Sequence, residues 1–248
     1  MNLQVDTVVY IAAAMAVGGF IKGGTGAGLP QVAIPVMATF LGVETAVVIM
    51  AIPGIVTNTW LIWNHRNHFQ HTRDLPALLA TGIVGAIAGT SLLHSLDEGA
   101  LSFFVAGMVG LYTIVFFAHP DFKLRAGVTR YTSPPVGLAS GLLQGATGMS
   151  GPVVATYIHA YRLPKEVFVV SITTVFQVYA VVQALTLLGL GLYTTERAVV
   201  SVLSLIPIMA MLPVGARVAT HLSRRTFDLV VLSILLASAA KLVFDAVA

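Results

Sequence analysis

The sequence predicts an all-α membrane protein, a polytopic helical bundle built from two inverted repeats. Three observations lead to this prediction: an apolar composition, uncharged runs of membrane-spanning length, and a glycine-rich interruption that occurs twice at a fixed spacing. Of the 248 residues, 57% are apolar and 9% are Asp, Glu, Lys or Arg, and the mean hydropathy is +0.90. Soluble domains carry charge on about a quarter of their residues. The composition therefore excludes a soluble enzyme, a nucleic-acid binder and a disordered chain.

The charged residues divide the chain into uncharged runs whose lengths suit membrane helices. A helix that crosses the hydrocarbon core needs about 20 mostly apolar residues, and the run from 75 to 96 is typical. Asp6 stands where a signal peptide would carry Lys or Arg, so the first helix is predicted to be retained. The predicted helices are 5–22, 30–41, 45–64, 75–95 and 99–118 in the first half, and 135–146, 152–162, 166–189, 197–216 and 226–246 in the second.

Two glycine-rich breaks interrupt this pattern, one from Gly23 to Pro30 and one from Gly145 to Pro152. Their glycines and prolines are incompatible with regular helix, and the second break follows the first by 122 residues. The same offset pairs Gly19 with Gly141, Leu41 with Leu163, Glu44 with Glu166 and Asp74 with Glu196, and Gly89 aligns with Gly215 at an offset of 126. The shared register predicts an internal duplication, with 1–120 as the first repeat, 121–134 as a cytoplasmic linker and 135–248 as the second repeat.

Basic loops set the predicted orientation. Cytoplasmic loops are enriched in Lys and Arg, which places the basic loops 64–74, 119–131 and 217–225 inside and leaves Asp97 and Glu98 outside. The loop 64–74 is then inside, whereas its duplicate near Glu196 is outside. The two halves are therefore predicted to be inverted copies, as in many transporters, with both termini outside a bacterial-type inner membrane.

The two breaks are the predicted binding site, because irregular backbone at membrane depth survives only where it lines a cavity or is buried in protein. Pro30 and Pro152 suit the first turn of a short helix, whose N-terminus would present free N–H groups and a positive dipole end to an anion. Lys22 adds a charge, and its duplicate is Gln144. The alternative for Lys22 is a side chain that reaches out to the membrane surface. The predicted substrate-binding residues are Lys22, Gly24, Thr25, Gly26, Gln144, Ala146, Thr147, Gly148 and Ser150.

Other polar residues have two interpretations each. Glu44 and Glu166 suit the first turn of a helix, where an acid complements the dipole, or they are carboxylates for proton coupling. Of the in-span polar residues, Asn58 and Gln183 either line the path or bond between helices. The three histidines of the 64–74 loop are interfacial polar residues or a metal site, and no metal or cofactor is predicted; they are His65, His68 and His71.

The segment from Gly18 to Pro30 (GGFIKGGTGAGLP), its echo from Gly141 to Pro152 (GLLQGATGMSGP) and the two Leu-x-x-Glu sites at Leu41 and Leu163 resemble the TauE/SafE sulfite exporter family. The likeness covers nearly the whole chain. It implies a secondary carrier of sulfur-containing anions, such as sulfite or organosulfonates including sulfoacetate, that exports its anion with help from the proton motive force.

The expected partners are a small anion and the lipid bilayer, with no nucleic acid; the oligomeric state stays open, with a homodimer as one arrangement. The alternatives are an anion channel with the same cavity and an uptake carrier for another small oxyanion or carboxylate. A membrane enzyme is not expected, because the nearest approach to a catalytic pair within the spans is Ser150 and His159.

Overall fold

The computed structural model describes residues 5–25, 28–69, 75–118, 126–219 and 224–247. The described residues form α-helices and one short 3₁₀ turn at Arg66–His68, and they contain no β-strand. The helices are α1 (Val5–Thr25), α2 (Leu29–Leu41), α3 (Val43–Asn64), α4 (Leu75–Ser95), α5 (Glu98–Ala118), α6 (Ala126–Thr147), α7 (Gly151–His159), α8 (Lys165–Gly189), α9 (Thr195–Leu203), α10 (Leu205–Ala219) and α11 (Arg224–Val247).

Six stretches of the described chain are long and apolar enough to cross a membrane. They are Thr7–Gly24, Val43–Asn64, Leu75–Ser95, Glu98–Val115, Glu166–Gly189 and Thr195–Gly215. α2 is a shorter apolar helix, and α7 has only nine residues. The predicted all-α class and the polytopic membrane architecture are confirmed, and a short helix follows each glycine-rich break.

Two predicted helices differ from the structure, and prolines account for one of the differences. The predicted helix 197–216 divides at Ser204 into α9 and α10. Pro207 has no N–H to donate to the carbonyl of Leu203, so the hydrogen-bond ladder is interrupted where α9 ends. α6 begins at Ala126 rather than at 135 and includes Pro134 and Pro135.

The early start of α6 shows that these two prolines do not end the helix. The carbonyls that they leave without an N–H donor belong to Arg130 and Tyr131, four residues earlier. Both residues are exposed.

Close helix crossings recur at equivalent places in the two halves. α6 packs along α4, and α1 packs along α10. A Cβ atom on Gly141 would overlap the backbone of Gly82, and one on Gly19 would lie 2.8 Å from the Cα of Ile208. The offset of 122 relates Gly19 to Gly141, and the offset of 126 relates Gly82 to Ile208.

A second pair of glycines follows the same correspondence. A Cβ on Gly89 would overlap the carbonyl of Leu142, and a Cβ on Gly215 would overlap the carbonyl of Phe20. Leu142 and Phe20 are again 122 residues apart. Residues that the offsets pair therefore make corresponding contacts, each between one helix of the first half and one of the second. The internal duplication and the opposite orientation of the halves in the membrane stay predictions.

Four charged or titratable residues meet at one end of the bundle. Arg197, in the first turn of α9, donates to Glu44 at the start of α3 over 3.0 Å. His94, in the last turn of α4, lies 3.8 Å from the other carboxylate oxygen of Glu44. Glu98, at the start of α5, accepts a hydrogen bond from the N–H of Val43 over 2.6 Å. The ends of these four helices therefore share one side of the bundle, and the orientation predicted from the basic loops places all four outside.

Candidate functional site

The two glycine-rich breaks line one cavity in the interior of the bundle. Gly28 and Pro30 line it from the first break, and Gly148, Ser150 and Gly151 line it from the second. Side chains of α3 and α8 complete the wall with mostly apolar groups, among them Val47, Met50, Phe176 and Ala180. The structure thus brings together the two segments that the sequence singled out.

The breaks also touch each other directly. Gln31, in the first turn of α2, packs against Gly151, the first residue of α7, so closely that a Cβ on Gly151 would overlap the Gln31 amide. Gly148 has a φ of +70°, in the left-handed region that favours glycine. A side chain there would also collide with Ile34 of α2. Glycine at these two positions is therefore required for the N-termini of α2 and α7 to approach each other.

Lys22 contributes a charge to this cavity. Its side chain is 4% exposed, and the ammonium donates to Thr57 Oγ1 over 2.9 Å and to Asn58 Oδ1 over 2.7 Å. Thr57 in turn donates to the carbonyl of Pro53 over 2.6 Å. The ammonium therefore points into the bundle toward α3, which argues against a side chain that reaches out to the membrane surface. Within the part of the chain that the structure describes, no carboxylate forms an ion pair with Lys22.

At the equivalent position of the second half, Gln144 belongs to a neutral hydrogen-bond network. Gln144 Nε2 donates to Gln183 Oε1 over 3.1 Å, and Ser150 Oγ donates to Gln144 Oε1 over 2.8 Å. Gln183 Nε2 donates to the carbonyls of Gln144 and Gly145 over 2.8 and 3.1 Å. These carbonyls belong to the last turn of α6, so Gln183 caps the end of that helix. Gln144, Ser150 and Gln183 all line the cavity.

Four helix ends meet around the cavity, and their dipoles oppose one another. α2 and α7 begin there, and neither has a side-chain cap. α1 and α6 end at the same two breaks. A helix carries about half a positive charge at its N-terminus and about half a negative charge at its C-terminus. Two N-termini and two C-termini therefore cancel to a first approximation, and the formal charge of Lys22 decides the sign of the site.

Helix α3, which supplies the hydrogen-bond partners of Lys22, is stabilised near Pro53 by residues of the second half. Pro53 cannot donate to the carbonyl of Ile49, and Ser201 Oγ of α9 donates to that carbonyl over 2.6 Å. Tyr193 donates its hydroxyl to the carbonyl of Val48 over 2.9 Å. Burial raises the pKa of Tyr193, so the hydroxyl keeps its proton and stays a donor. Residues of the second half thus complete the hydrogen bonding of a helix of the first.

The remaining predicted binding residues are not among the described residues that line the cavity. Gly24 lies in the last turn of α1 and is not among the described residues that line the cavity. The backbone of Thr25 ends α1, but its side chain and all of Gly26 lie outside the described residues. Ala146 is buried beside Gly89 of α4. Thr147 is buried too, and its hydroxyl donates to the carbonyl of Leu143 over 2.7 Å and accepts from the N–H of Met149 over 3.2 Å.

The two candidate coupling carboxylates lie away from the cavity. Glu44 is in the first turn of α3 and is paired with Arg197, which also donates to Thr45 Oγ1 over 3.3 Å. Glu166 is in the first turn of α8 and is exposed. Both positions fit the interpretation as helix-start acids.

Among the described residues, no group of three His, Asp or Glu side chains is placed to hold a metal ion, and the three-histidine group of the 64–74 loop is described only in part. His65 Nδ1 donates to the carbonyl of Leu61 over 3.0 Å, at the end of α3. His68 is exposed on the 3₁₀ turn. His71 lies outside the described residues, as does Asp74.

Two residues of the site were not predicted from the sequence, Gln31 and Thr57. Gln31 follows Pro30 and is the one polar side chain in the first turns of α2. Its isolated position in an apolar helix could have indicated that it faces the site. Thr57 precedes Asn58 in an otherwise apolar helix. A polar pair one turn after an in-helix proline could have indicated a partner for a buried charge.

Comparison with known proteins identifies the same family as the sequence motifs do. The family model described as "Sulfite exporter TauE/SafE" matches residues 10–242, which include both breaks and the helices that surround the cavity. Searches of curated proteins and of solved structures returned no significant match. With a match over almost its entire length, the chain belongs to the TauE/SafE sulfite exporter family, and it is a multi-pass membrane transporter rather than an enzyme.

Proposed function

We propose that the protein exports a small sulfur-containing anion, sulfite or an organosulfonate such as sulfoacetate, across the bacterial-type inner membrane by alternating access coupled to the proton motive force. The anion binds in the cavity between the two glycine-rich breaks. Lys22 provides the charge that attracts it, the amides of Gln31 and Gln144 provide neutral donors, and Ser150 lies beside them in the wall of the cavity. The backbone around Gly24, Thr25 and Gly26 remains a predicted contact.

One observation carries this proposal: Lys22, in the candidate span Thr7–Gly24, is buried with hydrogen bonds to neutral oxygens and no carboxylate partner among the described residues. A buried charge without a counter-charge is costly, and ionisable residues inside a membrane mark ion and substrate pathways by default. An anion in the cavity would supply the missing counter-charge. The lining of the cavity therefore has the composition of an anion site.

Alternating access is supported by the way the halves pack. The long crossings α1 with α10 and α4 with α6 join opposite halves, and duplicated glycines make them close. In repeat-based transporters, one bundle rocks against another around a central site at the repeat interface. Here each such bundle would contain one break, because α1 ends at the first break and α6 at the second.

Reconstituted flux tests the proposal. Purified protein in liposomes loaded with sulfite is compared with Lys22→Gln, which makes the first break resemble the second. A hydrogen bond to a charged group contributes about 1.5–3 kcal/mol, so we expect sulfite affinity to fall about 10- to 100-fold. Lys241→Gln is the matched control, because Lys241 is half-exposed on α11 and pairs with Asp245; its flux should equal that of the wild type.

Two outcomes would contradict the proposal. Equal flux for Lys22→Gln and Lys241→Gln would make Lys22 a structural residue, provided that both variants give the same yield of folded protein. Flux that neither saturates nor shows counter-flow would indicate an anion channel. Glu44→Gln serves as a comparison for coupling: we expect it to retain more transport than Lys22→Gln, and complete inactivation would instead make Glu44 the coupling carboxylate.

A further inference from the structure

We propose that the cavity binds its cargo as a singly charged anion, and that Gln144 is the residue that sets this limit. The inference rests on the proposed function and narrows it. Among the sulfur-containing anions proposed as cargo, the inference favours hydrogensulfite and organosulfonates whose remaining groups are neutral. It disfavours doubly charged anions, including the dianion of sulfoacetate.

The first step is a charge count for the cavity. The described residues that line it include Lys22 and no other charged side chain. The segments 23–43, 45–65, 131–161 and 167–195 contain no Asp, Glu, Lys or Arg. These segments supply the described lining from α2, α3, α6, α7 and α8.

The second step concerns the helix dipoles, which could in principle add positive charge. The N-termini of α2 and α7 contribute about half a charge each, and the C-termini of α1 and α6 subtract about the same. Gln183 caps the carbonyls of the last turn of α6 with its amide, which is a neutral group. The net positive charge of the cavity is therefore close to the single charge of Lys22.

The third step compares the two ends of the cavity. At the first break the ligand meets the ammonium of Lys22. At the second it meets the amides of Gln144 and Gln183 and the hydroxyl of Ser150, which are already bonded to one another. Between the ends lie apolar side chains such as Met50 and Phe176. A ligand with an anionic group at one end and a neutral polar group at the other fits this asymmetry, whereas a second negative charge would lack a counter-charge.

A matched pair of organosulfonates tests the inference in liposomes containing the full chain. Isethionate and sulfoacetate have chains of similar length and differ in whether the second end is a hydroxyl or a carboxylate. We expect isethionate to compete with sulfite transport at least tenfold better than sulfoacetate does. Gln144→Lys places a second cation at the position that the offset pairs with Lys22. In this variant, the preference for isethionate over sulfoacetate should shrink at least tenfold or reverse. Gln144→Met, which is also uncharged, should not improve competition by sulfoacetate.

A second measurement needs no variant. Sulfite changes from a singly to a doubly charged anion as the pH rises through neutrality, whereas isethionate keeps one charge. We expect sulfite flux to fall relative to isethionate flux over this range, and any titration of Lys22 would affect both substrates. Equal competition by isethionate and sulfoacetate in the wild type, or a sulfite-to-isethionate flux ratio independent of pH, would overturn the inference. Neither result would refute anion transport, which fails only if no anion competes and Lys22→Gln has no effect.

Discussion

A methyl group added at the helix crossings gives a direct test of the duplicated packing. Gly19 of α1 faces Ile208 of α10, and Gly141 of α6 faces Gly82 of α4. In each case the obstacle is backbone, which cannot rotate aside as a side chain can. We therefore predict that Gly19→Ala and Gly141→Ala both destabilise the protein, although alanine is the better helix former.

The size of the effect follows from the contact distances. A Cβ on Gly19 would lie 2.8 Å from the Cα of Ile208, whereas ordinary contact begins at 3.4 Å, so α10 must withdraw by at least 0.6 Å. A gap of that size forfeits a quarter to a half of the dispersion energy of the atoms concerned, and overpacking of a core costs about 1–3 kcal/mol. Gly141 has the deeper overlap and belongs at the upper end of this range. The higher helix propensity of alanine relative to glycine offsets about 1 kcal/mol of this loss.

Two glycines away from the crossings serve as controls, because they separate the effect of the close helix packing from the effect of helix propensity. Gly107 and Gly110 are in α5, where an added Cβ would have no neighbour within 4 Å. Alanine there gains the same propensity without the overlap, so the difference between Gly19→Ala and Gly107→Ala should be about 1–3 kcal/mol. The assay is the midpoint of thermal unfolding in detergent micelles. Crossing variants as stable as the controls would refute the close packing, and sensitivity in only one half would refute the correspondence between the halves.

Two further predictions concern the hydrogen bonding of α3 and the orientation of the chain. Ser201→Ala should lower the free energy of unfolding by about 1–3 kcal/mol, because the carbonyl of Ile49 loses its donor. Ser204→Ala removes only a bond to the carbonyl of Ser201 and should lower the free energy of unfolding by less; equal losses for the two variants would contradict the role of Ser201. The chain has no cysteine, so single cysteines report topology: an impermeant maleimide added outside whole cells should label Asp97→Cys and not Asn67→Cys, and the opposite pattern would invert the predicted orientation.

The helix pattern could be predicted well because charge marks the ends of membrane helices. α4 was placed at its observed bounds, 75–95, and α5 differs from its prediction by one residue at the start. The division at Ser204 was not predicted, since an uncharged run gives no sign of whether a proline near its middle bends or ends a helix. Pro53 lies within α3 and does not end it, whereas Pro207 coincides with the start of α10. The difference lies in the tertiary partner, because Ser201 replaces the missing donor for Pro53.

The candidate site was predictable in its location and less so in its details. The offset between Lys22 and Gln144 follows from the sequence, and both residues line the cavity. A glycine-rich break has no helical or strand period, so the direction of each side chain within it could not be inferred. Thr147 and Ser150 looked alike in the sequence, yet Thr147 bonds to backbone groups and Ser150 faces the cavity. The opposing dipoles of α1 and α6 depend on how far those helices extend into the breaks, which only the structure gives.

The ion pair between Glu44 and Arg197 is not repeated by the residues that the sequence offset relates to these two. The offset of 122 relates Arg197 to Leu75, and Leu75 packs in an apolar cluster with Tyr157 and Tyr161. The contact of Glu44 with Arg197 is therefore a partly exposed ion pair that dissolved salt weakens, whereas the contacts of Leu75 are apolar and salt leaves them intact or strengthens them. Under the proposed alternating access, ionic strength should consequently shift the balance between outward-facing and inward-facing forms, because the two ends of the bundle would respond to salt differently.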